Sequence, residues 1–265
     1  MSEPNTIDAE LIRLIEMKDI TIHGGGLRLS GQPGLPAPGP EPDSDDTART
    51  GSELDEIACI ILAAGRSERF GEANKLLAEI DGKPMFVHPV EAALAARLGP
   101  VIVVTGHEAE RVQAALGRRN VDCIVNTNFA AGMATSLACG IGRAQVAGVG
   151  GAMVLLGDMP WVEAMTLETL AAAFRQAGGT KICVPVAAGR FGNPVLFPAF
   201  LFPEIINLEG DRGARALLDQ HADLVVEINM DNTENTGGGM GGDMGGVIDD
   251  IDAPAQLPDG RQTDL

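Results

Sequence analysis

Three cations, Arg66, Arg69 and Lys75, follow closely on the apolar run Ala58–Leu62, with the small residues Ala63, Ala64 and Gly65 in between. Only small side chains let a ligand lie against the backbone at such a point, and Gly65 is free to take positive φ. A strand that opens into a glycine-bearing loop with fixed cations holds a polyphosphate, although an ordinary βα turn with surface cations has the same composition. Two other phosphate loops are excluded. The stretch contains neither Gly-x-x-x-x-Gly-Lys-Ser/Thr nor Gly-x-Gly-x-x-Gly.

A carboxylate completes this chemistry. The hydrophobic run Ala152–Leu156 ends abruptly in Gly157-Asp158-Met159-Pro160. A hard oxygen ligand beside a triphosphate is what Mg²⁺ needs, with water and phosphate oxygens filling the octahedron. The competing role for Asp158 is N-cap of the following helix. Metal binding is the preferred reading because Asp158 and the 63–75 loop should share one edge of a sheet. A second small-residue turn, Gly132-Met133-Ala134-Thr135-Ser136, enters a helix. There Ser136 and backbone N–H groups can read a base edge or a phosphate, or Thr135 and Ser136 simply cap the helix. In Thr105-Gly106-His107-Glu108, Thr105 is a candidate N-cap, and His107 reads as a surface or capping residue because nothing pairs with it. Arg212 and Arg215 lie three apart on one helical face, with Asp211 as candidate N-cap. They form either a phosphate fork or a solvated basic face. Asp250 and Asp252 alternate with apolar residues and either join Asp158 at the metal or are edge charges.

These residues need elements to position them. Strands are predicted at 57–62, 100–105, 121–125, 152–157, 181–187 and 224–228, and helices at 84–98, 107–117, 133–146 and 162–177. Such alternation predicts an α/β, Rossmann-like fold with a mostly parallel sheet and helices on both faces. Arg190–Phe197, after strand 181–187, predicts a β-hairpin and a mixed portion late in the chain. The loops after the strands then line the carboxyl edge, where open α/β sheets bind ligands.

The composition sets limits. The formal charge is −18 over 265 residues, but it sits at the ends. Residues 1–56 hold 12 acids against 4 bases, and residues 227–265 hold 9 against 1. Acidic ends and 3% aromatic residues argue against nucleic acid and anionic membranes as partners. Residues 1–56 read as an acidic, Pro/Gly-rich extension with a short amphipathic helix around Ile7–Ile15. The catalytic domain is expected at 57–258, with a flexible glycine-rich insertion at 235–246 and a tail at 259–265. Cys59, Cys123, Cys139 and Cys183 are scattered without a C-x-x-C pair, so zinc is not expected. No signal peptide or membrane span is visible, and the expected compartment is the cytoplasm.

Taken together, the motifs resemble the molybdenum cofactor cytidylyltransferase branch of the nucleotidyltransferases. The likeness covers about Ile57 to Leu257. It is carried by Leu62-Ala63-Ala64-Gly65 with Arg69, Phe70, Gly71 and Lys75; by Val104-Thr105-Gly106-His107; by Gly132-Met133 with Ser136-Leu137; and by Gly157-Asp158-Met159-Pro160. Gly192-Asn193-Pro194-Val195, Gly210-Asp211-Arg212-Gly213-Ala214-Arg215 and Asp250-Ile251-Asp252-Ala253-Pro254 complete it. The resemblance implies a Rossmann-like nucleotide-binding domain that moves CMP from CTP to the terminal phosphate of molybdopterin and releases pyrophosphate. On this reading Arg69 and Lys75 hold the triphosphate, Asp158 with Asp252 holds Mg²⁺, and Leu62, Ala63, Ala64, Gly65 and Ser136 hold the nucleotide. Asn193, Arg212 and Arg215 meet the acceptor phosphate. Partners would be the two small-molecule substrates and a molybdoenzyme client. The alternatives are a nucleotidyltransferase for a sugar phosphate or other small phosphate, and a non-catalytic nucleotide-binding chaperone for a molybdoenzyme.

Overall fold

The computed structural model describes residues 20–22, 56–66, 74–208, 215–230 and 247. In chain order its main elements are β1 (Ile20–Ile22), β2 (Ile57–Ala63), β3 (Glu79–Ile80), β4 (Lys83–Pro84), α1 (Val87–Ala96), β5 (Val101–Thr105), α2 (Ala109–Leu116) and β6 (Asp122–Asn126). Then come α3 (Met133–Val146), β7 (Gly151–Leu156), α4 (Ala164–Gln176), β8 (Ile182–Ala187), β9 (Arg190–Phe191), β10 (Val195–Pro198), α5 (Phe202–Ile206), α6 (Arg215–Gln220) and β11 (Val225–Asn229).

Strand β2 is the centre of the molecule because both of its faces are covered. Cys59, Ile61 and Ala63 enter one core cluster with α1, α2 and α4, whereas Ala58 and Ile60 enter a second with α3, α5 and α6. A strand buried on both sides reads as a continuous apolar run, which is what residues 57–63 are. The main sheet runs β1-β6-β5-β2-β7-β10-β8-β11, with β9 paired to β8. β5, β6 and β7 join β2 in parallel register, and β10 lies antiparallel to both β7 and β8. The sheet is therefore α/β and mostly parallel with a mixed late portion, as its alternation predicts. From β2 the chain moves outward to β5 and β6, then returns to the other side of β2 for β7. That reversal makes a topological switch point, where a crevice opens at the strands' carboxyl ends.

Several local expectations are corrected. Residues 79–84 form a small hairpin, so the helix expected from 84 starts only at Val87. Asp81 and Gly82 both adopt positive φ (50° and 73°), the two-residue turn that matches strand twist. Thr105 does not cap α2. Its hydroxyl donates to the Ile124 carbonyl at 3.1 Å, and Glu108 occupies the N-cap position in a left-handed conformation. Strand β1 pairs antiparallel with β6, so the sheet reaches into the segment read as an extension. The helix expected at Ile7–Ile15, the Asp211 cap, the insertion at 235–246 and Asp250 lie outside the described residues.

Candidate active site

The site is built from the ends of β2 and β7. Past β2, Leu76 is buried in the first core cluster and pins a 3₁₀ turn, Lys75–Leu77. Asn74 caps that turn by accepting from the Leu76 N–H at 3.1 Å. Past β7, the Gly157 N–H donates to the Leu62 carbonyl at 3.0 Å. A Cβ on Gly157 would lie 3.0 Å from that same oxygen and 3.3 Å from Leu76 Cδ2. Glycine is thus what lets the two turns meet, and the result is an ion pair. Lys75 Nζ donates to Asp158 Oδ2 at 2.7 Å, with side chains only 15% and 20% exposed. Residues 83 positions apart in the chain converge, as the shared-edge reading requires. The α4 cap position falls to Glu163, so the competing capping role for Asp158 is not realised.

The small-residue loop follows β2 at the same edge of the sheet. Ala63 and Ala64 are buried, Gly65 and Arg66 are exposed. Gly65 does not use the positive φ open to it, and a Cβ there would meet open space. The loop is held from the side. The His107 backbone N–H donates to the Ala64 carbonyl at 3.2 Å, and a Cβ on Gly106 would lie 2.9 Å from Ala64 Cβ and 2.7 Å from Phe129 Cβ. The His107 ring rests near Phe129, and the Arg66 guanidinium sits 5.4 Å from that ring's centre, a cation–π contact. Gly106→Ala is expected to cost about 1–3 kcal/mol through overpacking, read as a lower urea midpoint, and to weaken nucleotide binding.

Asn126, at the carboxyl end of β6, organises the second turn. Its buried amide donates to Thr135 Oγ1 at 2.8 Å and to Ser136 Oγ at 2.9 Å, and its carbonyl accepts from the Asn128 N–H at 2.9 Å. Ser136 is itself buried, so its hydroxyl is aimed by Asn126. Thr135 donates back to the Gly132 carbonyl at 2.9 Å, and Gly132 is the N-cap of α3. Asn126→Ala breaks three bonds in a closed site and should cost roughly 2–4 kcal/mol. Chemical denaturation measures that loss.

Asn74 and Glu108 were not singled out from sequence. Asn74 Nδ2 and Glu108 Oε2 are both buried without a hydrogen bond of normal length and angle among the described residues. Arg111, bonded to the other Glu108 oxygen at 2.6 Å, holds that carboxyl below its ordinary range, and the Asn74 amide adds to the effect. The signal available in sequence was an Asn directly before the lysine, a strong cap residue at a turn.

Leu156 and Met159, neighbours of Asp158 in the chain, line a cavity of about 710 Å³ together with Arg190, Phe191, Asn193 and Glu227. The Asn193 N–H donates to the Val247 carbonyl at 2.7 Å. Leu62, Ala63, Ala64, Gly65, Lys75, Ser136, Asp158 and Asn193 thus cluster along the β2, β6, β7 and β10 ends. Arg215 opens α6, and only its backbone is described. Arg69, Arg212 and Asp252 lie outside the described residues. Among the described residues no three His, Cys, Asp or Glu side chains come together as a metal site. The donor chemistry still suits a hard cation, because Asp158 Oδ1 makes no hydrogen bond among them. None of the four cysteines is in a disulfide, and burial pushes the Cys59 thiol up to about 12 and the Cys183 thiol to about 11, which makes these two poor nucleophiles.

A switch-point crevice holding a paired cation and carboxylate defines a nucleotide-binding α/β domain. The chain belongs to the MobA-like NTP transferase domain family, whose model matches residues 59–225. It is 35% identical over 144 residues to the bifunctional protein GlmU of Pelobacter propionicus, covering 53% of this chain and 30% of that one. The chain therefore spans less than a third of the GlmU length. The purine catabolism protein PucB of Bacillus subtilis is 28% identical over 204 residues, 74% of this chain and 92% of PucB. Among solved structures, Rv0371c of Mycobacterium tuberculosis superposes with a TM-score of 0.58 at 28% identity, covering 67% of this chain and 89% of that one. Rv0371c has also been crystallised with manganese. No helix among the described residues is long and apolar enough to cross a membrane.

Proposed function

We propose that the protein transfers CMP from CTP to the terminal phosphate of molybdopterin carrying molybdenum. An acceptor phosphate oxygen attacks the α-phosphorus; the bond from the α-phosphorus to the α–β bridging oxygen breaks, and pyrophosphate leaves with the electron pair. The nucleophile is already ionised, so the site needs no strong base. It must hold two polyanions in line and neutralise charge on the α-phosphate and leaving group.

The observation that carries this reading is the 2.7 Å Lys75–Asp158 pair at the switch point; Leu156 and Met159, close to Asp158 in the chain, line the 710 Å³ cavity. In this assignment Lys75 binds the triphosphate together with Arg69. The 62–65 segment and Ser136 hold the cytidine. Asn193, Arg212 and Arg215 hold the acceptor phosphate. Asp158, with Asp252, would hold Mg²⁺, which when bound supplies Lewis-acid stabilisation of the phosphate oxygens. The manganese complex of Rv0371c supports a divalent cation in a relative. The choice of CTP and of molybdopterin rests on the Leu-Ala-Ala-Gly, Gly-Asn-Pro-Val and Gly-Asp-x-Gly-Ala-Arg motifs.

The test is pyrophosphate release with CTP or GTP, with molybdopterin or glucose 1-phosphate, and with or without Mg²⁺. Release only with CTP, molybdopterin and Mg²⁺ is expected. A second reading, transfer to a sugar phosphate, draws on the GlmU similarity, and turnover of glucose 1-phosphate would favour it.

A further inference from the structure

We propose that Phe191 and Glu227 select the acceptor's ring: Phe191 stacks on a planar nitrogen heterocycle and Glu227 accepts hydrogen bonds from its N–H edge. The inference rests on the proposed function, whose acceptor cavity these residues line. Pairing register places them together. Phe191 of β9 stands opposite Val186 of β8, and Glu227 of β11 stands opposite Val184. Val184 and Val186 are two apart, so all four positions fall on one face of the sheet. Val186 lines the cavity too and gives it an apolar floor.

Each side chain is unusual for its place. Phe191 is 41% exposed, one of few large apolar side chains so placed among the described residues. An aromatic ring kept in contact with water at the wall of a cavity is a stacking surface awaiting a partner. Glu227 makes no hydrogen bond or ion pair among the described residues. A carboxylate is acceptor-only, so it suits a ligand edge bearing adjacent N–H donors. Arg190 lines the cavity too, but its strand position is opposite Ala187, on the other face of β8 from Glu227. The Glu227 carboxylate repels a phosphate placed directly against it. A ring on Phe191 with donors toward Glu227 turns that charge into selectivity, with the phosphate directed toward Asn193 and Asp158.

The test uses the full chain and neopterin, a fluorescent pterin without phosphate, titrated in the presence of CTP. Saturable quenching is expected for the wild type. Phe191→Ala should weaken neopterin about tenfold, as loss of one stacked ring does, and Phe191→Trp should restore it. Glu227→Gln should raise the molybdopterin KM about tenfold while CTP affinity stays unchanged, which also reports folding. If molybdopterin is turned over but both variants keep the wild-type KM and neopterin affinity, this inference falls and the proposed acceptor stands. If the wild type turns over glucose 1-phosphate and not molybdopterin, both fall.

Discussion

Asp158→Ala is expected to lower kcat by about a thousandfold or more while leaving the fold intact. The carboxylate is a polar side chain at a turn, outside both core clusters, so its loss removes no packing. In the proposed mechanism it does remove the hard oxygen ligand at the point where charge develops on the phosphates. Loss of one preorganised electrostatic contact of this kind costs about 10²–10³ in rate, and loss of a cation's anchor costs at least as much. Asp158→Asn keeps the shape and discards the charge, and it should be nearly as slow. Pyrophosphate release at saturating CTP reads the rate, and far-ultraviolet circular dichroism reads the fold. Full turnover by Asp158→Ala would remove this residue from the mechanism.

Lys75→Ala should act on binding before it acts on rate. Its ammonium sits 2.7 Å from Asp158 and is largely shielded from water, and in the proposed assignment it binds the triphosphate. Charge-assisted hydrogen bonds contribute about 1.5–3 kcal/mol, which corresponds to a CTP dissociation constant raised roughly 10- to 100-fold. The variant also leaves Asp158 facing a polyanion without its partner, which adds repulsion. Lys75→Arg should recover part of the affinity but not the geometry, because the guanidinium is planar and larger. Isothermal titration with CTP measures the change, and an unaltered dissociation constant would count against the role. Because the two side chains touch, the double variant should lose less than the sum of the single ones.

Much of the framework was legible in the chain. The β2 run is apolar throughout because helices cover both faces, and that pattern predicts a buried parallel strand without coordinates. The predicted strands and helices appear within a few residues of their expected ends, and the late antiparallel pairing of β10 appears where a mixed sheet was expected. The Asp81-Gly82 hairpin was missed although its turn residues announce it. The apolar residues after it dominate a helical window. Thr105 was misplaced because capping is local, whereas its hydroxyl found a carbonyl on the neighbouring strand.

The sequence by itself determined which residue types this protein carries at its strand ends: small residues and cations after β2, a carboxylate after β7. Those follow from local pattern, since hydrophobic runs and their abrupt ends are written in neighbouring positions. Only the tertiary structure decided which of them touch. Strand order brings β7 beside β2, and the close approach at Gly157 sets Asp158 on Lys75. Likewise Asn126 aims Ser136, and strand register places Glu227 and Phe191 on one face. Such contacts arise from long-range pairing, whose energy is shared over whole strands and leaves no short-range mark in the chain.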